Sequence, residues 1–444
     1  MKIVIAGAGQ VGTHLAKQLS KEEQDIVVID DDESRLAALE PYNLMTLTGR
    51  PVSFAVLKSI GMESTDLFIA VTPHEARNFM ACSIAKHLGA KRTVARIDTY
   101  EYLQPEQQHY FHTIGIDELI YPELLAAKEI RSSLRRSWVR NWFELCNGEL
   151  IVVGVKIDHH TEITDMPLRD LAAHSANIHV AAIKHGHDTI IPRGDDVIIA
   201  GDIVYFATTP DNVDHIRELC GKRQADIRRV LIMGGSKMAV QIAREISSDD
   251  YRIKIIEIDR ERAHQLSKLL PEVNIIHGDA RDISLLEEEG IVDDDAFVAV
   301  TDSSEQNILA CLTAREFNVK KTIAQVETVQ FISEAENLGI GTIINKKLLA
   351  SSRILQMLLD YDTSTAKCLA LADAEVSEMV AKPGSRITKS MVKDLRLSRD
   401  MTIAGLTRNG VGHLVDGNTQ IQAGDHVVMF CLNGAIHKVE KLFN

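Results

Sequence analysis

The residues with chemistry to offer are a glycine-spaced turn and the acid that follows it. Gly7-Ala8-Gly9-Gln10-Val11-Gly12 comes directly after a short apolar run and opens a helical pattern. In a GxGxxG turn the first glycine makes the bend and the second lets backbone approach a pyrophosphate. The third lets helix and strand pack closely, and the helix N-terminus faces the phosphates. Asp30, eighteen residues beyond Gly12 at the end of the next apolar run, is placed to accept hydrogen bonds from adenosine ribose hydroxyls. An acid there disfavours a 2′-phosphate, so NAD(H) is expected over NADP(H); ATP and ADP carry the same ribose and stay open. The alternative is a turn that serves packing only. Arg96, ending a later strand, sets a cation at the carboxyl edge of the sheet where a phosphate would lie. Its alternative role is a surface ion pair, worth little.

The same unit is written twice. Gly234-Gly235-Ser236-Lys237-Met238-Ala239 repeats the turn, and Glu257 follows Ala239 by the same eighteen residues. The offset is 227 early and 229 late: Gly49 matches Gly278, Thr72 Thr301, Asn78 Asn307, Cys82 Cys311, and Ala95-Arg96 Ala324-Gln325. The copies are not equal. Ser236 stands at the second glycine and crowds the phosphate approach, Gln325 carries no charge where Arg96 does, and Asp279 faces Arg50 in the alignment. The second cleft is therefore expected to bind more weakly or to be structural.

Elements that position such turns alternate strand and helix. Strands read at 2–5, 25–29, 45–47, 67–71, 93–96 and 118–120, with helical periodicity between them. Strands apolar throughout and separated by helices specify a parallel sheet covered on both faces, a doubly wound α/β domain. A long helix follows over 121–136, with Pro122 near its start. The pattern then turns β-rich, with short strands at 151–157, 178–184, 197–200 and 203–207. This reads as a small α+β domain. After the linker 221–228 the scheme restarts, and Asp416-Gly417 and Ala423-Gly424-Asp425 mirror Arg193-Gly194 and Ala200-Gly201-Asp202 at offset 223. The expected order is a nucleotide domain over 1–120, a helix over 121–142 and a small domain over 143–222. It repeats over 228–345, 346–362 and 363–444.

The net charge of −14 argues against a nucleic-acid partner. The six cysteines have no metal or CxxC spacing and read as buried hydrophobes of a reducing compartment. A strand beginning at Lys2 leaves no room for a signal peptide, and no run nears the roughly 18 apolar residues of a membrane span. A cytosolic chain is expected. His159, His160, His185 and His187 sit among turn residues and read as solvated. No nucleophile elbow is present, no metal site is expected, and no acid–base group stands out in the small domains, so neither a catalytic residue nor an enzyme is expected. The alternative is an NAD-dependent oxidoreductase with a duplicated cofactor domain.

The whole chain resembles the RCK (KTN) regulatory subunits of bacterial Trk potassium-uptake systems. The resemblance rests on the repeated domain order, the first turn with Asp30, Val71-Thr72, Arg96 and the paired Gly-Asp turns. It implies nucleotide contacts from Gly7, Ala8, Gly9, Gln10, Val11, Asp30, Val71, Thr72 and Arg96 in the first half. In the second half it implies Gly234, Gly235, Ser236, Lys237, Met238, Glu257, Thr301 and Gln325. It further implies a tetramer of chains forming a ring beneath a TrkH/TrkG-type potassium-translocating membrane subunit, on the inner face of the membrane. The nucleotide would then be read as a signal and not consumed.

Overall fold

The computed structural model describes residues 1–20, 24–157, 161–175, 177–186, 188–359, 367–371, 374–432 and 435–443. His159, His160 and His187 fall outside the described residues. The chain divides into two compact units, residues 1–126 with 345–358, and 127–344 with 359–444.

In the first unit, β1 (Lys2–Ala6), β2 (Asp25–Asp30), β3 (Met45–Thr48), β4 (Leu67–Ala70), β5 (Arg92–Arg96) and β6 (Glu118–Ile120) form one parallel sheet. Its order is β3-β2-β1-β4-β5-β6. The β1 residues Ile3 to Ala6 are all buried, as are the four of β4, because helices cover both faces. The strand order reverses between β1 and β4, which opens a crevice at their carboxyl ends, where ligands of such sheets bind. Ala350, Ile354 and Met357, from the helix Lys346–Leu359, bury against Ile3, Ile5, Leu67 and Ile69 of this sheet. The helix that follows the second sheet in sequence thus covers the first. Arg92 donates to the Met357 carbonyl at 3.2 Å and Lys346 lies 3.4 Å from Glu123, fixing both its ends.

The second unit carries the second parallel sheet. Its strands are β7 to β11 antiparallel and β12 to β17 parallel, in chain order: β7 (Asn141–Leu145), β8 (Leu150–Lys156), β9 (His179–His185), β10 (Asp188–Ile190), β11 (Ile203–Thr208), β12 (Arg229–Met233), β13 (Arg252–Glu257), β14 (Asn274–His277), β15 (Ala296–Ala299), β16 (Lys321–Gln325) and β17 (Thr342–Ile344). The parallel order β14-β13-β12-β15-β16-β17 reproduces the first sheet. From the helix Pro122–Arg135, Arg131 and Arg135 both grip Asp249, at 2.7 and 2.6 Å. The two guanidiniums hold that carboxyl well below the usual carboxylate range.

Two antiparallel sheets complete this unit, β10-β9-β11-β8-β7 and β18-β19-β22-β20-β21, with β18 (Lys367–Leu371), β19 (Ala374–Val380), β20 (Met401–Arg408), β21 (Val411–Leu414) and β22 (His426–Leu432). Val152 and Ala182 of the one share a core with Val376 and Phe430 of the other. The paired Gly-Asp turns have a common mechanism. Asp202 accepts from the Ile199 amide at 2.8 Å and Asp425 from the Gln422 amide at 2.8 Å. A strand-end base meets each carboxylate: His185 Nδ1 lies 2.6 Å from Asp202, and Arg408 pairs with Asp425 at 2.7 Å.

Three sequence expectations need correction. His185 is not a solvated loop residue; it ends β9 and is half-buried against Asp202. Residues 197–200 form no strand, only isolated bridges of Val197 to Pro167 and Ile198 to Thr164. There the Asp202 side chain takes the Ile199 amide that a neighbouring strand would otherwise have to satisfy. The long helix, expected over 121–136, spans Pro122–Arg135, but β7 starts at Asn141, inside the segment 121–142 set aside for the helix. Among the described residues no helix is long and apolar enough to cross a membrane.

Candidate functional site

The first turn leaves β1 at the switch point. Gly7 has φ +112°, a left-handed-side conformation that only glycine adopts freely, and an added Cβ would sit 3.1 Å from Thr72. A Cβ at Gly12 would run into the Gly7 carbonyl oxygen, so the third glycine lets the helix Gln10–Leu19 close on the strand. Gly9 differs: a Cβ there would meet nothing within 4 Å. The space in front of Gly9 is open, as a cradle for phosphate oxygens needs to be.

Asp30 closes the cradle from below. Its buried carboxylate accepts from the Ala8 amide at 2.6 Å and from the Asp32 amide at 2.9 Å, while Arg35 lies 3.7 Å away. These bonds fix the turn to the end of β2, and a carboxylate with about four lone-pair directions keeps acceptor capacity for ribose hydroxyls.

The far wall is the end of β4. Val71 is buried, touching the place where Gly12 would carry a Cβ, and Thr72 follows it. Asn78, fully buried, accepts from the Thr72 amide at 3.0 Å and from its hydroxyl at 2.6 Å. It donates to the carbonyls of Thr72 at 3.0 Å and Arg96 at 2.8 Å, tying the ends of β4 and β5 together. Arg96 pairs with Asp98 at 3.0 Å, yet its Nε is buried with no hydrogen-bond partner. That leaves one unsatisfied N–H donor at the carboxyl edge of the sheet.

The second cleft is built alike and filled differently. Gly234 has φ +96° and lies against Thr301, and Asn307 repeats the Asn78 network on Thr301 and the Gln325 carbonyl. Glu257 accepts from Gly235 at 2.5 Å and from Asp259 at 2.7 Å. Glutamate is one methylene longer than aspartate, and a Cβ on residue 235 would fall 2.7 Å from its carboxylate oxygen. Glycine at 235 and glutamate at 257 are therefore a matched pair, as alanine at 8 and aspartate at 30 are. Ser236 caps the helix Lys237–Ile246, its hydroxyl accepting from the Ala239 amide at 3.3 Å. It thus engages a donor that a phosphate would use. Arg262 donates to the Gly235 carbonyl at 2.8 Å, and Gln325 is buried with its amide on Glu327 at 3.0 Å.

The structure brings Gly7 to Gly12, Asp30, Thr72 and Arg96 to one sheet edge in the first unit. It brings Gly234 to Met238, Glu257, Thr301 and Gln325 to the matching edge in the second. Gln10, Val11, Lys237 and Met238 start the two helices, with Val11 and Met238 buried. Sequence reasoning noted Asn78 and Asn307 only as repeat partners. A buried amide at a fixed distance past a strand-end threonine, present twice, was the available signal. Arg35 and Arg262, also repeat-equivalent, carried none.

A contrast between two glycines tests the cradle. Gly7→Ala is expected to cost about 1–2 kcal/mol in stability through its positive φ. Gly9→Ala should leave the melting temperature unchanged or slightly raised while lowering nucleotide affinity roughly tenfold or more, since its methyl fills the phosphate space. Calorimetric titration beside thermal melts separates the two effects. Unchanged affinity in Gly9→Ala would exclude a phosphate at this turn.

A doubly wound parallel sheet followed by a small antiparallel domain, twice in one chain, defines a tandem duplication of one two-domain unit. Residues 3–122 and 230–346 match the TrkA-N domain, and residues 152–221 and 376–444 match the TrkA-C domain. The chain belongs to the TrkA family. It is 30% identical over 451 residues to the Trk system potassium uptake protein TrkA of Azorhizobium caulinodans, covering 100% of this chain and 98% of that protein. The Halomonas elongata protein of the same name is 31% identical with the same coverage. Among solved structures, the GsuK RCK domain has TM-score 0.60 at 14% identity, covering 100% of this chain and 94% of that one. The GsuK channel bound to NAD has TM-score 0.60 at 14% identity, covering 100% and 78%. At that identity the likeness shows the fold.

Proposed function

We propose that this chain is the nucleotide-sensing regulatory subunit of a Trk potassium-uptake system. On this reading it binds NAD(H), or ATP or ADP in its place, in the first cleft and more weakly in the second. It acts from the cytoplasm as a homo-oligomeric ring, a tetramer of chains, on a TrkH/TrkG-type membrane subunit. The observation that carries the reading is the open space at Gly9, closed below by the turn-bound Asp30 carboxylate and edged by the Arg96 Nε donor. Those residues fit the phosphates and ribose of an adenine nucleotide. The bound cofactor would supply charge and contacts to be sensed, and its identity would bias the geometry of the ring. Family membership and the naming of relatives as Trk system potassium uptake proteins support the partner class. The related fold in the GsuK channel, solved once with NAD and once with ADP, supports the ligand class.

Gating requires a ligand that prefers one ring geometry over the other. Moving a pathway from mostly closed to mostly open takes about 5 kcal/mol of differential affinity, which several sites per ring reach from modest contributions each. The test is to follow NADH with the purified chain by calorimetry and absorbance, then measure potassium flux in vesicles holding the membrane subunit. Saturable binding without oxidation, with flux that responds to NADH, is the expected result. Steady oxidation of NADH with a physiological substrate would replace this reading with an NAD-dependent oxidoreductase.

A further inference from the structure

We propose that a basic pocket in the second unit, at the edge of the second parallel sheet opposite its nucleotide cleft, is a separate anion site that takes a small polyphosphate group. It does not depend on occupancy of either nucleotide cleft. The cavity is about 230 Å³, and among the described residues it is lined by Arg140, Lys156, Lys222, Arg315, Lys320 and Lys321 and by no acid, with Lys320 paired to Asp295 and Arg315 donating to the Leu338 carbonyl, each at 2.7 Å. In a chain of net charge −14 such a cluster runs against the composition. The volume lies below the roughly 300 Å³ where pockets begin to enclose drug-sized ligands, so it suits phosphate groups and not a whole dinucleotide.

The pocket is built around a buried cation. Lys321, at the first position of β16, is 5% exposed and donates to the Ser137 and Val139 carbonyls at 3.2 and 3.3 Å. Burial, with Arg140 close by, pushes its ammonium down to about 7 against the opposing pull of Glu129. Burying a charge is costly, and an anion in the pocket would offset part of that cost.

The first copy carries two acids at the edge where the second has none. Strand pairing sets the equivalence: Val94 faces Glu118 as Ile323 faces Thr342. Asp117 of the first copy binds Lys86 at 2.8 Å and the Thr93 amide at 2.8 Å, and Glu118 lies 3.7 Å from Arg92. In the second copy the cations persist as Arg315 and Lys321, but Gly341 and Thr342 stand where those two acids would be. The Lys91–Asp66 pair, by contrast, is kept as Lys320–Asp295, each at 2.7 Å. Two acids of the first copy are thus absent from this edge of the second, where the preceding small domain places Arg140, Lys156 and Lys222. The carboxylates that engage these cations in the first copy have no counterpart at positions 341 and 342 of the second.

The test titrates inorganic triphosphate into the full-length chain by calorimetry, with and without saturating NADH. One triphosphate per chain is expected to bind in the presence of NADH, with affinity falling as salt rises. The double variant Lys156→Gln/Lys222→Gln, at the partly exposed rim, should lower triphosphate affinity at least about tenfold with NADH affinity and melting temperature unchanged. Repeating the titration with ATP under saturating NADH distinguishes sources: competition with triphosphate identifies nucleotide phosphates, and binding of triphosphate alone identifies a free polyphosphate. Displacement of triphosphate by NADH, no binding at all, or undiminished affinity in the double variant would overturn the proposal.

Discussion

Asp30→Ala is expected to lower NADH or ADP affinity by roughly a hundredfold, about 3 kcal/mol, and to destabilise the first parallel-sheet domain as well. From sequence the acid is a ribose ligand alone, which predicts a smaller loss with an intact fold. The geometry adds a second role. The carboxylate holds the Ala8 amide at 2.6 Å and the Asp32 amide at 2.9 Å, so its removal frees two buried or half-buried donors and unpins the turn that forms the cradle. Charge-assisted bonds of this kind contribute about 1.5–3 kcal/mol each. Ligand contact and preorganisation are therefore lost together. Glu257→Ala removes the matching bonds at 2.5 and 2.7 Å and should destabilise its own half to a similar degree. Its effect on total nucleotide binding should be smaller, because Ser236 and Arg262 already engage groups of that turn. Calorimetry on the two variants decides the ranking. Unchanged affinity in Asp30→Ala would mean that no ribose is held at the end of β2, and a larger loss in Glu257→Ala would reverse the order of the two clefts.

The repeat, the parallel sheets and the turn positions were legible because each leaves a periodic or spaced pattern of residue types. Apolar runs between helices specify buried parallel strands, and the fixed offset repeats them. What the sequence concealed is long-range. The helix Lys346–Leu359 covers β1 and β4 through Ala350, Ile354 and Met357, and nothing in its periodicity names the sheet it will meet. Strand 197–200 failed for a local reason that a propensity pattern does not carry: a buried aspartate three residues on takes the backbone donor. At the site, the acid's second role was hidden because Asp30 touches a residue twenty-two positions earlier, and only the folded turn brings Ala8 onto it. The exchange of Asp117 for Gly341 was present in the sequence but fell where the repeat offset shifts, so the repeat's early offsets did not pair them.

Asn78→Ala is expected to be the most destabilising single truncation in the first cleft, by about 3–5 kcal/mol. The side chain is fully buried and makes bonds to the Thr72 amide, hydroxyl and carbonyl and to the Arg96 carbonyl, all between 2.6 and 3.0 Å. Alanine leaves those backbone groups buried and unpaired, at about 1–3 kcal/mol for each that water does not reach. Asn78→Asp keeps the shape but sets carboxylate oxygen against two carbonyls, so it should be no better than alanine. A chain of several domains has no single unfolding free energy, so native-state hydrogen exchange at residues 92–96 is the measurement. Protection there should fall by several orders of magnitude, while residues 321–325, served by the untouched Asn307, keep theirs and act as an internal control. Equal protection in both halves would show that the amide is replaceable. Because Asn78 sets the positions of both Thr72 and Arg96, nucleotide should restore part of the lost protection in Asn78→Ala. That rescue should saturate at concentrations higher than the wild-type protein needs, since part of the binding free energy then goes into rebuilding the wall of the cleft.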